Sequence, residues 1–221
     1  MATDKKPELS CVDGIRVLAM VYIVATHAIE YTDWSLYKDT FKLKDALNVW
    51  HTIPTTKAHT VVETFFLLSG LLASYTTLKH TKAKLQNFEP QAYIWQRVVR
   101  LLPLMAVFIL LTTLVPLAGN GPVWNQYMSD RFGTCYTNWW HNLLFLHNLI
   151  DAQNMCVGST WFLSVDMQFH VLSLVVMAAL LKKPSYGLIV NFALILASIA
   201  FVSTLIVVMD FTPGRVSTQI G

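Results

Sequence analysis

"RVLAMVYIVATHAIE", residues 16–30, is apolar enough to cross a bilayer, yet it opens on an arginine and carries a histidine and a glutamate near its far end. A crossing segment must be helical, because only a ladder of hydrogen bonds within the segment satisfies its backbone in hydrocarbon. On a helix, Arg16 and His27 stand eleven residues apart, which is three turns plus about 20°, so they share a face. They are separated along the axis by roughly 16 Å. Glu30 falls three residues after His27, on the same side and within reach of the imidazole. Ionisable groups inside a span face a polar cavity or a partner rather than lipid. The stretch therefore predicts a membrane helix with a proton-handling histidine, His27, and a carboxylate, Glu30, to orient it. The plainer alternative keeps Arg16 and Glu30 as interfacial anchors and His27 as a satisfied core residue.

Composition extends this reading to the whole chain. Of 221 residues, 54% are apolar and 13% charged, with a mean hydropathy of +0.48. Soluble domains carry about 25% charged residues. The net charge of +3 is spread out without a basic block, which argues against nucleic acid as a partner. No internal repeat, low-complexity tract or Gly/Ser linker marks a second domain. Lys5 and Lys6 ahead of an apolar run imitate a signal peptide, but the run holds Arg16, His27 and Glu30 and no small-x-small site closes it. An uncleaved first span is expected.

Five stretches reach the roughly 20 apolar residues that a bilayer requires: 12–31, 61–78, 98–118, 160–181 and 186–209. The expected fold is an all-α integral membrane protein of about five transmembrane helices. A shorter apolar piece, 139–150, is expected at the interface. With the N-terminus in the cytosol, the cytosolic side and its border hold Lys5, Lys6, Arg16, Lys79, Lys82, Lys84, Arg97, Arg100, Lys182 and Lys183. The other side holds Lys38, Lys42, Lys44, Lys57, Arg131 and Arg215, ten against six in favour of N-terminus inside. Trp34, Trp50, Trp124, Trp139, Trp140 and Trp161 lie in or beside the outer connections, as interfacial aromatics do. Cys135 and Cys156 share the outer connection between spans three and four, an oxidising setting that favours a disulfide over two thiols. Closing that loop would stabilise it by roughly 3 kcal/mol on the chain-entropy account. Cys11 falls on the cytosolic side, where thiols stay reduced.

Three further motifs carry candidate chemistry. "FFLLSGLL", residues 65–72, places Ser69 and Gly70 in the second span. Close helix packing suits these small residues better than a nucleophilic role for Ser69. "RVVRLLP", residues 97–103, sets Arg97 and Arg100 on one face at the start of the third span, with Pro103 in its first turns. Two arginines there fit either a phosphate clamp or plain positive-inside flanking. "WFLSVDMQFH", residues 161–170, puts Asp166 and Gln168 inside the fourth span, with His170 four residues after the aspartate. A carboxylate in a span needs a partner or a substrate hydroxyl. No zinc-ligand spacing, nucleotide fingerprint or Gly-x-Ser-x-Gly elbow is present, so neither a metal site nor a soluble-type hydrolase is expected.

"LSCVDGIRVLAMVYIVATH", "ETFFLLSGLLASY", "YIWQRVVRLLPLM" and "WFLSVDMQF", in this order, resemble the membrane acyltransferase-3 superfamily. "CYTNWWHNLLFLHN", followed by Cys156 and the tryptophan motif, resembles its animal branch, the nose-resistant-to-fluoxetine proteins. The resemblance implies an integral membrane O-acyltransferase that moves an acyl group from acyl-CoA, on the cytosolic side, to a hydroxyl acceptor. No permanently bound cofactor is implied. His27 matches the family's catalytic histidine, Arg16 its paired arginine, and Arg97 and Arg100 the basic motif near the donor's phosphates. Ser69, Trp161 and Gln168 fall in the matched substrate-binding motifs. Asp166 stands where bacterial members more often have glutamate, and His170 where tyrosine is common. The implied partners are membrane lipids, acyl-CoA and the hydroxyl acceptor, in the plasma membrane or the endoplasmic reticulum.

Family members usually have about ten spans, so residues 9–221 are expected to form the N-terminal half of such a domain, after a cytosolic tail over 1–8. Two other readings stay open: a non-enzymatic membrane protein that transports lipids or small molecules, and a truncated copy without activity.

Overall fold

The computed structural model describes residues 10–30 and 59–209. Eight helices and three short 3-10 turns make up the described residues, with no strand among them. In chain order the helices are α1 (Ser10–Glu30), α2 (His59–His80), α3 (Pro90–Leu114), α4 (Pro122–Phe132), α5 (Cys135–Leu143), α6 (His147–Ile150), α7 (Trp161–Lys182) and α8 (Pro184–Met209). Five of them, α1, α2, α3, α7 and α8, are long and apolar enough to cross a membrane. Their outward faces are rich in exposed Leu, Val, Ile and Phe. Hydrocarbon is as apolar as those side chains, so such faces suit lipid.

The chain divides into two compact units: residues 1–73 with 195–221, and residues 74–194. In the first unit α1 buries Val12, Ala19 and Thr26. These positions recur every seven residues and so form a single stripe along the helix.

The second unit is built on α3 and α7. Its core joins Met105 and Ile109 of α3 and Met167 of α7 to Cys135, Phe145, Cys156 and Val157 from the segment between them. That segment folds back as α4, α5 and α6. Cys135 and Cys156 form a disulfide with Cα atoms 4.1 Å apart, as expected, and both are buried in the core. The apolar piece over 139–150 is not one interfacial helix. It is the end of α5 and all of α6, broken at Phe145, whose φ of 57° no helix interior accepts.

The third span also differs from expectation. It begins at Pro90, eight residues before the expected 98, and continues through a 3-10 turn to Ala118. Proline at the first helical position has a fixed φ suited to helix initiation. Pro103 consequently lies in the middle of α3 rather than in its first turns. Its missing N–H removes one rung of the ladder there.

Candidate functional site

In the first unit, the stripe of Val12, Ala19 and Thr26 marks the inward face of α1. Arg16 and His27 are both half-buried and flank that stripe. The expected shared face is therefore present, and it is turned into protein rather than outward. Thr26 donates its hydroxyl to the Ile23 carbonyl at 2.8 Å, which satisfies the polar group next to His27. Glu30 ends α1, but its side chain lies outside the described residues. Ser69 is half-buried beside the buried Leu68 in α2. A Cβ added to Gly70 would meet nothing within 4 Å, so the expected close helix approach is not found there among the described residues.

In the second unit, α3 and α7 run antiparallel and are clasped by polar side chains. Arg97 pairs with Asp166. One turn earlier on α3, the Tyr93 ring stacks on His170 with centroids 4.0 Å apart and planes within 15°. The Ser173 hydroxyl donates to the His170 carbonyl at 2.7 Å, which leaves its oxygen to accept from the Tyr93 hydroxyl at 2.8 Å. His170 Nε2 lies 3.2 Å from the Tyr93 carbonyl. A carbonyl only accepts, so this nitrogen carries the proton. Tyr93 and Arg97, four apart on α3, thus meet Asp166, His170 and Ser173 on α7. Asp166 and His170 are buried. Arg97 and Arg100 stand seven and ten residues past Pro90, about 10 and 15 Å into the helix. They do not merely flank a span: Arg97 is half-buried against α7, whereas Arg100 is exposed.

Trp161 opens α7 and is half-buried. Gln168 donates through Nε2 to the Phe145 carbonyl at 3.0 Å and to Asn148 Oδ1 at 2.8 Å. Its Oε1 accepts from Asn148 Nδ2 at 3.1 Å. The Gln168 amide is thus engaged in holding the α5–α6 connection on α7.

Sequence reasoning missed a second polar cluster, centred on His147. His147, Ser164 and Asn142 are fully buried and Thr160 nearly so. Thr160 donates to the Val157 carbonyl at 2.6 Å, so its oxygen accepts from Asn142 Nδ2 at 2.8 Å. The same oxygen lies 3.4 Å from His147 Nε2 and accepts there too. His147 Nδ1 is then the acceptor for the Ser164 hydroxyl at 3.0 Å. Burial pushes the His147 pKa below the ordinary histidine value, partly opposed by hydrogen bonds to backbone at His141 and Thr160. Asn142 Oδ1 is buried with no hydrogen-bond partner among the described residues. The available signal was the repeated His-Asn pair in "HNLLFLHN", residues 141–148, two polar couples in an otherwise apolar run.

The structure therefore joins Arg97 to Asp166 and Gln168 to Asn148, while Arg16, His27 and Ser69 belong to the other unit. A half-buried histidine can exchange a proton near neutral pH, and an exposed arginine inside a span can hold an anion.

Comparison with known proteins agrees with this arrangement of helices and motifs. The family profile described as "Acyltransferase domain", acyltransferase-3, matches residues 9–214. The chain is 34% identical to "Nose resistant to fluoxetine protein 6" of Caenorhabditis elegans over 178 residues, 74% of this chain and 21% of that protein. It is 26% identical to "Regulator of hypoxia-inducible factor 1" of Caenorhabditis elegans over 215 residues, 90% of this chain and 40% of that protein. The chain thus spans well under half the length of either relative. No solved structure matches it. With the profile covering nearly the whole chain and its five long apolar helices in place, the chain belongs to the acyltransferase-3 family.

Proposed function

We propose that this chain supplies the histidine-bearing part of a multi-pass membrane O-acyltransferase, with acyl-CoA as donor and a hydroxyl compound as acceptor. The observation that carries the reading is Arg16 and His27 on one half-buried face of an apolar helix, within a chain matched by the acyltransferase-3 profile over residues 9–214. In this reading the N-terminus is cytosolic, in the plasma membrane or the endoplasmic reticulum, and the protein works among membrane lipids.

The chemistry follows from what each group can do. Neutral His27 accepts the proton of the acceptor hydroxyl as its oxygen attacks the thioester carbonyl carbon. The new C–O bond forms, the C–S bond breaks, and the imidazolium returns its proton to the departing thiolate. Arg16 sits about 16 Å from His27 along α1, a distance suited to contact with a more remote part of the donor. Basic residues of α3 hold the donor's phosphates through charge-assisted hydrogen bonds.

Replacing His27 with alanine in the full-length protein tests this. Thiol release from acyl-CoA in the presence of acceptor should fall at least about a hundredfold, while membrane insertion and expression stay normal. Retained transfer in His27→Ala would sink the mechanism. Movement of lipid across the membrane without acyl-CoA consumption would favour a transport role instead.

A further inference from the structure

Arg97 and Arg100 belong to one short motif, yet they stand on two different stripes of α3. Tyr93 and Arg97, four residues apart, face α7. Gln96 and Arg100, also four apart, are exposed. A charge count sharpens the contrast. The α3 sequence holds two arginines and no carboxylate, and α7 holds a single carboxylate, Asp166. Asp166 is taken by Arg97. No acidic residue lies one turn before or after Arg100 on α3. Arg100 therefore keeps its full charge about 15 Å inside an apolar helix, a position where arginine faces a polar cavity or a partner.

From this division of labour, and resting on the acyl-CoA reading above, we infer that Arg97 and Asp166 are a positioning pair and that Arg100, with Gln96, is the ligand for the donor's phosphate oxygens. The pair sets the rotation and register of α3 against α7, aided by Tyr93, His170 and Ser173. That rotation aims the Gln96–Arg100 stripe outward. A guanidinium fork matches two phosphate oxygens at once, and the Gln96 amide, one turn away, adds a neutral donor on the same side. Asp166 acts here through Arg97 rather than on the reacting atoms, which revises the catalytic role that the sequence motif implied.

The test uses the full-length protein in nanodiscs of neutral lipid, titrated with coenzyme A and assayed for acyl transfer. Arg100→Gln should weaken coenzyme A binding by about tenfold to a hundredfold and raise KM for the donor, with kcat little changed. Arg97→Gln and Asp166→Asn should lower kcat and the melting temperature while leaving coenzyme A affinity within about twofold of wild type. The exchanged pair, Arg97→Asp with Asp166→Arg, should recover much of the melting temperature and kcat lost by the single changes. Loss of coenzyme A affinity in Arg97→Gln equal to that in Arg100→Gln overturns the inference. So does an exchanged pair no more stable than either single variant, a result read without any ligand. Wild-type protein that ignores coenzyme A removes the acyl-CoA reading and the Arg100 assignment with it, whereas the exchange still reports on the positioning pair. A response of Arg100→Gln only when phosphatidylserine is added to the nanodiscs identifies a lipid headgroup and overturns the donor assignment.

Discussion

His147 is the residue whose environment has the sharpest consequence outside the proposed reaction. It is fully buried, accepts from Ser164 and donates to Thr160, and burial holds it neutral below the ordinary histidine pKa of 6.5. The unfolded chain takes up a proton near pH 6.5, but the folded one resists until the pH reaches its lowered value. Stability from this site is thus complete above about pH 6.5 and is lost progressively as the pH falls between the two values. Melting temperatures of the wild type should drop between pH 7.5 and 5.0. His147→Gln should start lower at pH 7.5, because Ser164 and Thr160 lose a shaped partner, and then decline less steeply. An identical slope in both proteins would show that another group controls the acid response.

At the scale of elements, the α7–α8 corner is the most constrained join. Gly187 is buried at the start of α8, and a Cβ there would lie 2.2 Å from Leu180 Cγ and 2.7 Å from its Cα. A backbone atom cannot swing aside as a side-chain tip can. Gly187→Ala should therefore destabilise the protein by about 1–3 kcal/mol, seen as a lower melting temperature in detergent. A neutral result would mean that the two helices separate easily at this corner. The α2–α3 connection is held differently. Lys82 and Ala83 both adopt positive φ, and Asn87 Nδ2 donates to the Thr81 carbonyl at 3.1 Å to close the turn.

For the whole molecule, the disulfide between Cys135 and Cys156 ties α5 to the chain entering α7, across the core shared with Met105 and Ile109. Around it, Thr134 donates to the Met155 carbonyl at 3.0 Å and Asn138 to the Asn154 carbonyl at 2.8 Å. Replacing both cysteines with serine should cost about 2–5 kcal/mol and broaden the thermal transition. The same variant should lose the difference in gel mobility between reduced and unreduced protein. An unchanged melting temperature would assign the stability of this layer to its hydrogen bonds and apolar core alone.

The five long helices, the disulfide and the shared face of Arg16 and His27 were legible in the sequence. Each depends on local composition, on the 3.6-residue period or on two cysteines in one connection, and lipid leaves a spanning backbone no alternative to the helix. Tertiary structure alone decided the rest. Arg97 and Arg100 look equivalent as letters three apart, but α7 approaches a single stripe of α3 and brings Asp166 to Arg97. Gln168 reads as a substrate ligand, yet the fold returns Phe145 and Asn148 to it and engages its amide. His147 meets Ser164 only because the chain breaks at Phe145 and turns back onto α7. Such pairings join residues 17 to 69 positions apart. Periodicity within one helix states which residues share a face, but only packing between helices states what that face meets.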